Sequence, residues 1–165
     1  MGKRVAIAFT GPSGSGKTTL IEKISNNLIQ TRKVAIIKND PKDKAIFDVE
    51  GKDSYTFSQT GAEVVVTSPT RTTYFSQREK TLDEIVSMIH DFDILLVEGL
   101  KTLPLPRLAI FRNEIDESYF DCSEAIATDD SIDLSNYTIP AHITLLDLNN
   151  TTQIIEWIDA HAKKI

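Results

Sequence analysis

Residues 11–19 read Gly-Pro-Ser-Gly-Ser-Gly-Lys-Thr-Thr. The run satisfies G-x-x-x-x-G-K-[ST] in full, and each residue type has a task that polyanion chemistry sets. Gly11, Gly14 and Gly16 carry no Cβ, so the backbone can curl and bring its N–H groups close to phosphate oxygens. Ser13, Ser15 and Thr19 complete the lining of that curl. Lys17 brings a point charge to the outer phosphates, and the Thr18 hydroxyl suits a Mg²⁺ that bridges phosphates. A helix starting after Gly16 aims unpaired N–H groups and its positive dipole end at the same anion. The run therefore describes a site for a nucleoside triphosphate, with Lys17 as its charge-neutralising group.

Carboxylates at other strand ends extend that chemistry. Glu98 closes the most apolar run of the chain, Ile94-Leu95-Leu96-Val97. In an open parallel sheet it falls on the ligand-binding edge, placed to hold a metal-bound water or orient an attacking one. Its alternative role is a surface ion pair. Asp40 follows the second apolar run at the same edge, and Asp48 shares its loop. Either suits Mg²⁺, and either also fits a solvated loop with Lys42 and Lys44. Asp93 begins the strand that Glu98 ends and reads as structural. Ala125-Ile126-Ala127 leads into Thr128-Asp129-Asp130. A carboxylate there can accept from both the N1–H and the 2-amino group of guanine, a donor pair adenine lacks. The same residues also make an ordinary Asp-rich turn. Arg71, Arg78, Arg107 and Arg112 are all candidates for clamping phosphate, and spacing singles out none of them.

These residues need a scaffold, and periodicity supplies one. Arg4–Thr10 reads as a buried strand, followed after the glycine-rich loop by a helix to about Gln30 with Leu20, Ile21, Ile24 and Leu28 on one face. Val34–Ile37 is a second strand. Asn39–Gly51 is a polar loop of functional length. A short helix is expected over Asp53–Thr60, a third strand over Glu63–Thr67, and a further strand within Ser68–Lys80. Thr81 and Glu84 form a capping box for a helix to His90, whose inner face is Leu82, Ile85, Val86 and Ile89. Leu108–Phe111, Ala125–Ala127 and Ile143–Leu146 are strands. Asn150 caps a last helix with Gln153 reaching back, and Trp157 packs beside its apolar stripe. Apolar strands alternating with helices predict an α/β, three-layer fold: a mainly parallel central sheet flanked by helices, in one domain spanning 1–165.

Composition removes several classes. The 165 residues carry 18 Lys and Arg against 24 Asp and Glu, a net charge of -6. A duplex-binding surface needs a basic excess, so nucleic acid is not the expected partner. Ile94–Val97 is too short to cross a bilayer, which points to a cytoplasmic protein. The single Cys122 has no partner for an internal disulfide, and His90, His142 and His161 lack ligand spacing.

Several segments together resemble the MobB family, the molybdopterin-guanine dinucleotide biosynthesis adaptor proteins. These are Lys17-Thr18-Thr19-Leu20, Ile37-Lys38, Phe47-Asp48 through Gly51-Lys52-Asp53-Ser54, Thr60-Gly61-Ala62, Leu96 through Lys101, Ala127-Thr128-Asp129 and Leu145 through Asn149. The resemblance covers most of the chain. It implies a P-loop NTPase fold and a homodimer that binds GTP and Mg²⁺ and hydrolyses GTP slowly at most. The implied partner is a MobA-type guanylyltransferase, with molybdopterin a further ligand. By the same resemblance, Asp129 becomes the base reader and Glu98 lies in the Mg²⁺-side motif. Lys52–Ser54 and Lys101 become candidates for a second ligand or the dimer surface. The family's histidines after the second strand are replaced here by Asn39-Asp40-Pro41-Lys42. Compact size and the segment Ser68–Lys80, with Arg71 and Arg78 as a lid, leave a small-molecule kinase as the alternative.

Overall fold

The computed structural model describes residues 4–165. Their elements run β1 (Val5–Thr10), α1 (Lys17–Leu28), β2 (Val34–Lys38), α2 (Asp53–Ser58), β3 (Val64–Thr67), β4 (Thr72–Phe75), α3 (Leu82–Ile89), β5 (Ile94–Glu98), β6 (Arg107–Ile110), β7 (Ala125–Thr128), β8 (Thr144–Asp147), α4 (Thr151–His161) and β9 (Lys163–Lys164). Short 3₁₀ helices cover Glu117–Cys122 and Leu134–Asn136. The chain gathers into two compact units: the described residues up to Asn39 together with Asp91–Ile165, and Asp40–His90.

The first unit is a mainly parallel sheet flanked by helices, in the order β2-β5-β1-β6-β7-β8. The most apolar strands take its centre. β5 lies along the whole of one edge of β1, from Val5↔Ile94 to Phe9↔Glu98. The other edge of β1 is shared: β6 pairs with Ala8–Thr10, and the antiparallel β9 pairs with Val5 and Ala6. Alternation then sorts the side chains. Ile7 and Phe9 of β1, with Leu108 and Ile110 of β6, pack with Leu20, Ile21, Ile24 and Leu28 of α1 and with Ile154, Trp157 and Ile158 of α4. A second cluster joins Ala109, Phe111 and Ile126 to Phe120 of the first 3₁₀ helix, Ile115, Ile132 and Ile143. Small residues on β1 (Ala6, Ala8) and β7 (Ala125, Ala127) let the layers approach closely.

In α4, Asn150 accepts from the Gln153 N–H as expected, but the Gln153 side chain accepts from Asp147 N–H rather than returning to Asn150. Asp147 ends β8, so Gln153 joins strand to helix where a closed capping box would have joined the helix to itself.

The second unit is built differently. The expected third strand, β3, does not enter the parallel sheet. It pairs antiparallel with β4, from Val64↔Phe75 to Thr67↔Thr72, in a sheet of its own. Only Val64 of β3 is buried. Four β-branched residues in a row satisfy a hairpin as well as a buried parallel strand, which is why composition alone could not separate the two. α3 carries the complete capping box between Thr81 and Glu84.

Candidate functional site

The loop between β1 and α1 is shaped by backbone conformations that only glycine adopts easily. Gly11 has φ +136°, and a Cβ there would meet the Ile110 carbonyl oxygen at 2.3 Å. Gly16, the N-cap of α1, has φ +97° and offers no side-chain cap. The first amides of α1 are therefore left without a capping side chain, and its first turn carries no acidic residue. Inside the loop, the buried Ser15 hydroxyl has no hydrogen-bond partner. Uncapped helix amides, a glycine turn packed closely on β6 and an orphaned hydroxyl make a donor set that fits a phosphate chain. Ser13, Gly14, Thr18 and Thr19 are solvent-exposed along this turn, so the Thr18 hydroxyl is accessible to a hydrated cation.

Lys17 arches over the loop. Its Nζ donates to the carbonyl oxygens of Gly11 at 2.9 Å and Pro12 at 2.5 Å. Burial lowers its pKa; Glu98 opposes that shift, and Lys38 and Lys101 add to it. The charges around Lys17 thus come from the ends of β2 and β5.

Glu98 ends β5 level with Phe9 of β1 and Lys38 of β2. Its side chain is 12% exposed and accepts from Lys38 Nζ at 3.0 Å. Glu98 therefore stands at the edge that carries the glycine loop, with one oxygen already facing an ammonium. Asp93, at the other end of the same strand, accepts from Lys33 N–H and is structural. Asp40, in the second unit, accepts from the N–H groups of Lys44 and Ala45 and organises its own turn. Among the described residues, no group of three or more His, Cys, Asp or Glu side chains is arranged to hold a metal.

Asp129 lies just past β7. Its Oδ1 accepts from Ser131 N–H and, in a very short contact, from the Ser131 hydroxyl, while Oδ2 pairs with Arg112 Nε at 3.1 Å. The Ser131 hydroxyl, then its N–H and Arg112, hold the Asp129 carboxyl below the usual aspartate value. Arg112 also packs on the phosphate loop, its Cζ 3.5 Å from where a Gly16 Cβ would sit. One guanidinium therefore joins the phosphate cradle to the proposed base reader.

Two of the four candidate arginines emerge with defined roles. Arg107 is 2% exposed, and its guanidinium donates to the carbonyl oxygens of Gly99, Leu100, Lys101 and Leu103. Burial lowers its pKa. This clamp moulds the loop leaving Glu98, in which Leu100 is held at φ +49°, an unusual value for a bulky residue. Arg107 is structural, and Arg112 is the arginine beside the loop. Lys38 is the other residue that spacing did not single out. The signal for both Lys38 and Arg112 was a cation one residue past an apolar strand run, which places it at the ligand edge. Arg78 is paired with Glu63 within the second unit.

The family model for molybdopterin guanine dinucleotide synthesis protein B matches residues 6–129. The molybdopterin-guanine dinucleotide biosynthesis adapter protein of Haemophilus influenzae is 33% identical over 162 residues, covering 93% of this chain and 86% of the relative. The crystal structure of Bacillus subtilis MobB superposes with a TM-score of 0.76 at 21% identity, over 96% of this chain and 98% of that one. A second crystal structure, of molybdopterin-guanine biosynthesis protein B, gives 0.72 at 21% identity, over 94% and 99%. The glycine loop ahead of α1, the parallel sheet and the matched sequence agree, and the chain belongs to the MobB family.

Proposed function

We propose that this chain binds GTP with Mg²⁺ as an adapter in molybdopterin guanine dinucleotide synthesis, with residues 1–165 acting as one nucleotide-binding domain. The observation that carries the reading is the phosphate cradle: Gly11 and Gly16 in conformations closed to other residues, bare amides at the start of α1, and Lys17 above them. Gly11, Ser13, Gly14, Ser15, Gly16, Lys17, Thr18 and Thr19 hold the phosphates. Thr18 and Glu98 hold Mg²⁺, and the ion supplies charge neutralisation on the phosphates. Asp129 reads the guanine edge, which requires Arg112 to share or leave that carboxylate.

Lys17 stabilises charge on the outer phosphates, and Glu98 orients water. A site relying on these two and on Arg112, which Asp129 holds, hydrolyses GTP slowly, because catalysis of phosphoryl transfer is positioning and charge stabilisation. The working form is a cytoplasmic homodimer that serves a MobA-type guanylyltransferase and takes molybdopterin as a further ligand. Exposed apolar side chains of the second unit, including Ile46, Val49, Phe57 and Val65, support a surface that a second copy covers. The kinase reading rested on size and on Arg71 and Arg78; family membership does not favour it.

Calorimetric titration of GTP, GDP and ATP with Mg²⁺ tests the reading on wild type, Lys17→Ala and Asp129→Ala. Wild type should prefer GTP over ATP by roughly tenfold or more, and Asp129→Ala should erase the preference. A preference for ATP overturns the base assignment, and absence of heat from any triphosphate overturns the whole reading.

A further inference from the structure

Arg112 and Asp129 follow the ends of two paired strands, β6 and β7. The two oxygens of Asp129 are held differently. Oδ1 takes both the N–H and the hydroxyl of Ser131. The same Ser131 oxygen accepts from Asn113 N–H at 2.8 Å, which fixes the backbone next to Arg112. Oδ2 faces the Arg112 guanidinium, with Nε 3.1 Å away, and the Arg112 side chain is 41% exposed. The carboxylate is thus anchored by its serine, whereas an ion pair exposed to this degree contributes little and changes partner readily. The guanidinium has a second neighbour. Its Cζ and Nε lie 3.5 Å, and Nη2 3.7 Å, from where a Cβ on Gly16 would sit. Gly16 is the N-cap of α1, where the uncapped amides begin. Arg112 therefore stands between two anion positions: a carboxylate that it contacts in this structure, and the helix terminus where phosphates carry more charge.

We infer that Arg112 couples recognition of the base to the grip on the phosphates: the guanine N–H groups displace the guanidinium from Asp129, and it turns onto the phosphate chain beside Gly16. The inference rests on the reading of Asp129 as the base-binding carboxylate and goes beyond it, because Asp129 then also withholds a cation from the phosphates until the right base arrives. The N1–H and 2-amino group of guanine take both oxygens of one carboxylate, so Oδ2 exchanges its partner. Ser131 keeps Oδ1, and with it the carboxylate, in place during the exchange. The displaced guanidinium is not left unpaired, since the same ligand brings phosphate oxygens that its planar fork can grip bidentately. Adenine offers that carboxylate no donor pair, so ATP leaves Arg112 on Asp129 and gains nothing from it. The correct base thus contributes twice, by its own hydrogen bonds and by the cation it releases. The new contact forms in the bound ground state, so it tightens binding without hastening hydrolysis.

Inorganic tripolyphosphate with Mg²⁺ supplies the phosphates without a base, and calorimetry on the full-length protein reads its binding. Asp129→Ala should bind it roughly tenfold more tightly than wild type, the size of one charged hydrogen bond gained. That change also removes a negative charge, so it is repeated in an Arg112→Gln background, where the gain should largely vanish. Arg112→Gln alone should bind guanosine at least as tightly as wild type, because the competitor for Oδ2 is gone, yet bind Mg-GTP about tenfold more weakly. An arginine that merely orients Asp129 would weaken guanosine and Mg-GTP together. If circular dichroism shows a variant unfolded, Arg112→Met or Asp129→Ser replaces it. No gain with tripolyphosphate, a gain that persists without Arg112, or a parallel loss of guanosine and Mg-GTP overturns the inference. A wild type that prefers GTP yet gives any of these results keeps the base reading and loses only the coupling; a wild type that prefers ATP loses both.

Discussion

The two units of this chain spend their apolar residues in opposite ways. In the unit carrying the glycine loop, Ile94, Leu95, Leu96 and Val97 of β5 are all fully buried, and α1 and α4 close over one face of the sheet. In Asp40–His90, Ile46 is 88% exposed, Phe47 83% and Val65 57%. One unit uses hydrophobic burial to hold a strand edge still, so that Gly11, Lys17 and Glu98 keep their places. The other leaves apolar side chains open and a carboxylate oxygen without a partner, features that cost stability in isolation. Burial and exposure are thus divided between different stretches of one sequence.

The largest effects should separate the units by stability. Ile24→Ala opens a cavity beneath β1 and should cost about 2–5 kcal/mol. Arg107→Ala removes the donor shared by four carbonyls and should cost about 3–5 kcal/mol, by analogy with breaking a buried charged network. Val66→Ala, on the exposed part of β3, should stay within ~0.5 kcal/mol. Urea unfolding midpoints decide the matter, and a Val66→Ala cost comparable to that of Ile24→Ala would break the contrast.

Next comes charge at the loop. Lys17→Ala should weaken Mg-GTP by about 10- to 100-fold, the size of a lost charged hydrogen bond. Added GTP should then raise the melting temperature less than in wild type.

A smaller effect concerns the open apolar surface. Ile46→Ser with Val65→Ser should leave the fold intact and loosen self-association by roughly tenfold, read by sedimentation equilibrium. A protein that is monomeric with or without these changes sinks the homodimer.

The smallest expected effect is in pH. Burial lowers the Lys17 pKa below the ordinary 10.5, so the folded protein releases this proton earlier than the unfolded chain. Bound triphosphate favours the ammonium form. Affinity should therefore be full on the acid side of that lowered pKa and decline as pH rises through it, before an ordinary lysine titrates. Lys17→Arg should hold its affinity flat across the same range. A flat wild-type profile removes Lys17 from the phosphates.

What could be read from the residues in order was whatever depends on neighbours a few positions apart. The glycine loop, the helix faces of α1 and α3, the Thr81–Glu84 capping box and the Asn150 cap are local devices, with dihedral preferences and hydrogen bonds spanning at most one turn. The strand at the Glu98 edge was legible for the same reason, as an unbroken apolar run. Which strands became neighbours was not. β3 has the composition of a sheet strand yet turns back on β4, and two lysines at the chain's end fill the lower edge of β1. The pairings at the candidate site, Lys38 with Glu98 and Arg112 with Asp129, join residues far apart in the chain. Such contacts arise from register across the sheet and from burial, which a linear pattern does not encode. Local chemistry specified the parts, and long-range packing chose their partners.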